Sequence, residues 1–222
     1  DTIRIGSYLR TIDIHTPEIY EVDEANGYLL IEDFGDYTFK NAFESGTASR
    51  HDLYDMATRV LVHLRENADL SKISLPSYYD SIIHSDRQNV LAWYAKAQSG
   101  MSVTDDLLGS FNQAWTDVMS GLPDVPQGFL HVDYHFENLM WLPGHDGIQA
   151  CGVIDFQQAK AGPAPYDLTN LLNDARTIVP ADIKAHCYDL YTQGMSAEDK
   201  EAFDAWFLIL SAEFHCRVIG LF

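Results

Sequence analysis

The segment His131-Val132-Asp133-Tyr134-His135-Phe136-Glu137-Asn138 and the later triplet Ile154-Asp155-Phe156 constrain this chain more than any other feature. Asn138 stands five places after Asp133, and Asp155 stands seventeen places after Asn138. Between them lie two apolar runs, Leu139 to Leu142 and Ala150 to Ile154, separated by Pro143-Gly144-His145-Asp146-Gly147. Short apolar runs broken by Pro and Gly predict two strands joined across a turn. Such a hairpin returns its far end to its near end, so Asp133, Asn138 and Asp155 are expected at one rim. Two carboxylates and a carboxamide so arranged suit phosphoryl transfer from a nucleotide. One carboxylate aligns the acceptor hydroxyl, while the amide oxygen and the other carboxylate hold magnesium on the phosphates.

Taken singly, each residue has a plainer role open to it. Asp133 could cap the next element, and Asn138 could serve a turn. Asp155 follows a strand so apolar that its carboxylate is expected to be buried and in need of a cation, magnesium or an arginine such as Arg176. His131 and His135 also suggest a histidine pair with Asp155 as third zinc ligand. That spacing binds metal on a helix, and Val132, Tyr134 and Phe136 around the histidines disfavour one. His131 is better read as a buried histidine bracing the loop. Neither a G-x-S-x-G elbow nor a GxxxxGK[ST] loop occurs, so those hydrolase and P-loop classes are unsupported.

Elsewhere, periodicity predicts the end of an amphipathic helix over 3–12 and a strand over Tyr28 to Ile31, entered through the Asn26-Gly27 turn signal. The acidic connector Glu32-Asp33-Phe34-Gly35-Asp36 follows, where Gly35 would supply freedom to change direction. Residues 50–67 carry Leu53, Met56, Ala57, Val60, Leu61 and Leu64 on one helical face. Further helices are expected over 81–98 and 103–120, with Trp93, Leu107, Phe111, Trp115 and Val118 as core or cleft wall. A strand is expected at Phe129 to His131, and helices over 167–175, 181–193 and 198–219, with the chain ending inside a helical pattern at Phe222. Asp167 reads as an N-cap that could also tie the loop around Asp133. This order is α+β with segregated helices.

Composition narrows the partners. A net charge of −19 excludes a nucleic-acid surface, which needs clustered Lys and Arg. It suits a cationic substrate or a protein adapted to salty surroundings. No apolar run approaches the roughly 20 residues of a membrane span. Three scattered cysteines make neither a disulfide framework nor a zinc knuckle, which fits a reducing cytoplasm. The chain opens on Asp1 without a leader, so the numbering is expected to start inside a longer protein.

Leu130 to Asn138, Gly152-Val153-Ile154-Asp155-Phe156-Gln157 and Gly162-Pro163-Ala164-Pro165-Tyr166-Asp167-Leu168 together resemble the aminoglycoside phosphotransferase family, related in design to choline kinases and protein kinases. Tyr28 to Asp36 looks like that family's hinge strand and hinge. The Ile-Asp-Phe-Gln and Gly-Pro-x-x-Tyr-Asp-Leu pieces are most similar to the N-acetylmuramate/N-acetylglucosamine anomeric kinase branch. True antibiotic-resistance members more often carry Trp and Gly after that aspartate.

The resemblance implies a bilobal protein-kinase-like fold. Residues 1–35 would be a partial small lobe with the hinge, and 36–222 the helical large lobe. Asp133 would be the catalytic base, Asn138 and Asp155 the magnesium ligands, and Glu32 and Phe34 the backbone contacts to the purine. His131 and Asp167 would support the loop. The implied activity moves the γ-phosphoryl of ATP or GTP to a hydroxyl of a small molecule, an amino sugar first. An aminoglycoside- or choline-like kinase is the alternative, and so is a nucleotide-binding pseudokinase. The family's phosphate-covering loop and its strand lysine have no counterpart here and would precede residue 1.

Overall fold

A computed structural model describes residues 1–81 and 83–219. Helix α1 (Thr2–Thr11) leads into the antiparallel hairpin of β1 (Ile19–Asp23) and β2 (Tyr28–Ile31). The turn carries Gly27 at φ 75°, which Gly adopts without steric cost. Both strands are almost wholly exposed, including Tyr28 at 71%. The connector to α2 (Phe39–Glu44) bends at Gly35, φ 76°.

The long helix α3 (Arg50–Asn67) anchors the core. Ser49 caps it by accepting the Asp52 N–H, satisfying one of the unpaired amides of its first turn. Leu53, Ala57, Val60, Leu61 and Leu64 recur every three or four residues and are buried, as the periodicity predicts. Against this face pack Leu168, Leu171 and Leu172 of α7 (Tyr166–Leu172) and Ile183, Cys187 and Tyr191 of α8 (Ala181–Thr192). Terminal helix α9 (Ala197–Val218) buries Phe203 in that core, and Trp206 and Leu210 in a smaller cluster with Tyr78 and Leu130. The expected chain end at Phe222 lies outside the described residues, as does Ile82.

The expected helix over 81–98 is broken. It consists of α4 (Ile83–Asp86), a π-helical stretch (Val90–Ala95) and α5 (Lys96–Ser99), closed by Gly100 at φ 66°. Next comes α6 (Asp105–Ser120), none of whose residues is buried. Trp93 is 64% exposed and Val118 44%, so an apolar stripe did not by itself mean core here.

Four short strands finish the scaffold. β3 (Gln127–Leu130) pairs antiparallel with β6 (Lys160–Pro163), and β4 (Leu139–Trp141) with β5 (Cys151–Val153), the second pair being the predicted hairpin. β6 reads as loop in sequence because Ala161-Gly162-Pro163 lacks strand propensity. Close packing explains it: a Cβ on Gly162 would meet the Tyr78 Cβ at 2.5 Å and a Leu130 methyl at 2.7 Å.

Candidate active site

β3 ends at Leu130, and the chain then turns through Val132 at φ 80°. For a β-branched residue this left-handed backbone is strained by about 1–3 kcal/mol, so the surroundings must hold it. The Asp167 carboxylate accepts the N–H groups of His131 at 2.6 Å and Val132 at 2.9 Å. Asn170 Nδ2 donates to the Val132 carbonyl at 2.8 Å. Asp167 and Asn170 share one face of α7, so a single helical turn grips both sides of the strained peptide. Asp167 is not the N-cap expected of it; the helix starts one residue earlier, with Pro165 at the cap position. Asn170 was missed in the sequence, where its only signal was the three-residue spacing from Asp167.

His131 is buried, and its Nε2–H donates to the Ile154 carbonyl at 2.8 Å. Burial pushes its pKa below the ordinary value, so the ring stays neutral. The Ile154 N–H in turn donates to the Asn138 carbonyl at 3.1 Å, continuing the ladder that pairs Leu139 with Val153. His131, Asn138 and Ile154 are therefore stitched together, and Asp155 follows directly at φ 62°.

Asp133 lies opposite. Asn138 Nδ2 donates to the Asp133 carbonyl at 2.9 Å and to its Oδ2 at 3.1 Å. His135 Nδ1 accepts the Glu137 N–H, which leaves Nε2 as the donor facing Asp133 Oδ2 at 3.3 Å. This His135 hydrogen bond is the main reason the Asp133 carboxyl is held down at about 2, with the Arg176 charge adding to it against partial burial. So weak a base aligns a hydroxyl better than it removes its proton.

The three residues expected at one rim are thus brought together, but Asp155 is exposed rather than buried. Its left-handed backbone follows the buried strand, and Gln157 Nε2 donates to its Oδ1 at 2.6 Å. Arg176 is not its partner; it pairs with Glu137 and Asp174. No group of three or more His, Cys, Asp or Glu side chains suited to a metal occurs among the described residues. A magnesium ion on phosphate oxygens asks less of the protein: hard oxygen donors, few in number. Asn138 has its amide nitrogen committed to Asp133, which leaves its oxygen for a cation, and Asp155 supplies a carboxylate. The pair fits such an ion.

At the hinge, the Glu32 N–H donates to the Glu18 carbonyl at 2.8 Å, so only its carbonyl remains for a ligand. Phe34 lays its ring on β5: a Cβ on Gly152 would lie 2.6 Å from it. Asp33 Oδ1 accepts the Gly35 N–H at 2.8 Å and closes the turn. The Phe34 ring thus rests on the β4–β5 pair, whose ends adjoin Asn138 and Asp155, whereas Glu32 follows the separate β1–β2 hairpin.

The chain belongs to the phosphotransferase enzyme family, whose model matches residues 3–206. It is 29% identical over 227 residues to an N-acetylmuramate/N-acetylglucosamine kinase of Caulobacter vibrioides, covering 99% of this chain and 62% of that protein. A protein of the same name from Pseudomonas putida is 27% identical, covering 99% and 64%. The chain thus spans less than two thirds of the length of these relatives. Among solved structures, a choline/ethanolamine kinase family protein from Mesorhizobium loti superposes with a TM-score of 0.62 at 15% identity, covering 97% of this chain and 67% of that one. An aminoglycoside-3'-phosphotransferase of type VIII gives 0.57 at 16% identity, covering 95% and 78%. The fold is the bilobal protein-kinase-like one that the motifs resembled.

Proposed function

We propose that this chain carries the catalytic part of a small-molecule kinase that transfers the γ-phosphoryl of ATP or GTP to a hydroxyl of an amino sugar. The observation that carries this is the stitched cluster: Ile154 bonds both His131 and Asn138, and Asn138 bonds Asp133. This supports reading Asp133 as the carboxylate that aligns the hydroxyl, with Asn138 and Asp155 as the oxygen donors near it. The curated relatives, each named for N-acetylmuramate and N-acetylglucosamine, support the acceptor class.

In this reading Asp133 accepts a hydrogen bond from the acceptor hydroxyl and points its oxygen lone pair at the γ-phosphorus. With its carboxyl held at about 2, it is ionised when the hydroxyl binds, aligns it in a loose, metaphosphate-like transition state, and takes the hydroxyl proton only late, as the new O–P bond forms, before passing it to solvent. Asn138 and Asp155 would hold magnesium, which supplies neutralisation of phosphate charge. The Glu32 carbonyl and the Phe34 N–H would take the purine edge. Residues 1–35 would serve as part of the small lobe with the hinge, and 36–222 as the large lobe.

The test is ADP release by the full-length protein with N-acetylmuramate, N-acetylglucosamine, choline and an aminoglycoside as acceptors. Turnover of either sugar is expected. Turnover of the cationic acceptors alone would replace this reading with the rival that the net charge of −19 favours. Nucleotide binding without turnover of any acceptor would leave a pseudokinase.

A further inference from the structure

A chain with 33 acidic and 14 basic residues repels an anionic acceptor, yet one of the two sugars proposed above carries a carboxylate and the other does not. A kinase that accepts both needs a local cation where the carboxylate arrives. Beside the Asp133 loop the structure has one. Arg176 and Lys40 converge on Glu137, with Arg176 Nε at 3.1 Å from Oε2 and Lys40 Nζ at 2.5 Å from Oε1. Glu137 directly precedes Asn138.

All three side chains are open to solvent by more than a third. They line a narrow cavity of about 60 Å³ together with Glu44 and with Asp174, which also pairs with Arg176 at 3.4 Å; the cavity is large enough for a carboxylate and too small for a hexose ring. The third cation of that cavity, Arg50, is spoken for: it donates to Thr177 Oγ1 and the Ile178 carbonyl.

The loop after α7 has a second side. There Asn173, Asp174 and Ala175 line a cavity of about 490 Å³ with Tyr94, Gln98 and His215, within the volume of small-ligand sites. Its wall sets an apolar side of Phe214, Val218 and Ile219 against hydroxyl, amide and imidazole groups, a mixture that suits one face of a neutral sugar. Asp174 lines both cavities and lies 3.4 Å from Arg176 Nη1, so the two cavities adjoin at that ion pair.

We infer that Arg176, assisted by Lys40, reads the carboxylate of an acidic amino-sugar acceptor, and that Glu137 occupies the same cations when the acceptor is absent or neutral. The inference rests on the kinase reading above and names how its acceptor is selected. Guanidinium binds carboxylate through paired donors, which an internal carboxylate of the same geometry can hold in reserve. Exchange of one carboxylate for another leaves the number of ion pairs unchanged, so neutral and acidic sugars can both be accepted.

The experiment compares kcat/KM for N-acetylmuramate with kcat/KM for N-acetylglucosamine in the full-length protein and two variants. Arg176→Gln is expected to lower that ratio by about tenfold to a hundredfold, the worth of one charged hydrogen-bonded contact. Glu137→Gln is expected to raise it, because the competing internal carboxylate is gone. A damaged fold lowers both rates together and cannot raise the ratio. An unchanged ratio in both variants, or equal loss on both sugars, overturns the inference and leaves the kinase reading standing. Absence of turnover of both sugars by the unaltered protein overturns the two together.

Discussion

Asp167 Oδ1 accepts the N–H of Val132 at 2.9 Å across thirty-five residues of sequence, and Val132 is the residue whose backbone the loop holds in the left-handed region. A buried carboxylate on one helix thus maintains the strained turn that presents Asp133. Removing it leaves the buried amides of His131 and Val132 without an acceptor. Asp167→Ala is expected to destabilise the fold by about 2–4 kcal/mol and to abolish turnover, read by urea denaturation and ADP release. A loss below about 0.5 kcal/mol would contradict this role for Asp167.

The same carboxylate gives stability a pH dependence. Burial raises the Asp167 carboxyl from 3.8 to about 7, outweighing the two amide donors. Between about pH 4 and about pH 7 the folded chain can hold a proton there that the unfolded chain has released, and above that range the ionised carboxylate accepts both amides. That contribution to stability is full below about pH 4 and is lost as pH rises through about 7. Asp167→Asn cannot titrate, so the stability gap between native protein and variant should narrow from about pH 4 to about pH 7. Parallel denaturation curves would refute the shift.

Asp133 and Asp155 should separate by function. Asp133→Ala is expected to lower kcat by about 10²–10⁴ while nucleotide affinity stays within about threefold. Asp155→Ala should instead lose the magnesium dependence of nucleotide binding, measured by calorimetry with and without the metal. Near-normal turnover of either variant would remove its residue from the assignment.

Gly152 lets the Phe34 ring pack against β5. Its missing side chain is where the Phe34 ring packs, at 2.6 Å from an added Cβ, and neither that ring nor the β5 backbone can give way cheaply. Gly152→Val is expected to cost about 1–3 kcal/mol by overpacking and to weaken nucleotide binding by lifting Phe34. Gly128→Ala, whose Cβ would meet nothing within 4 Å, is the control expected to do neither. Equal nucleotide affinity in the two variants would dissociate Phe34 from the nucleotide.

Helix α3 and the β4–β5 hairpin were legible because their signals are local. An apolar residue every three or four places and a Pro-Gly turn between apolar runs act within a few residues of themselves. α4 to α6 were only half legible. The periodicity at 103–120 marks a helix correctly, but none of its residues is buried, since burial depends on what packs against the helix. β6 left no trace because small residues there answer to Tyr78 and Leu130 across the sheet.

At the candidate site the division is similar. Spacing along the chain determined that Asn138 and Asp155 would share one end of a hairpin, because two paired strands return their outer ends together. Tertiary packing decided the rest: that Asp155 faces solvent from a left-handed backbone, that Arg176 joins Glu137 instead of Asp155, and that Asp167 spends its carboxylate on two amides with Asn170 beside it. Those outcomes depend on which distant groups burial forces into contact, and burial is a property of the assembled core that no single stretch of sequence encodes.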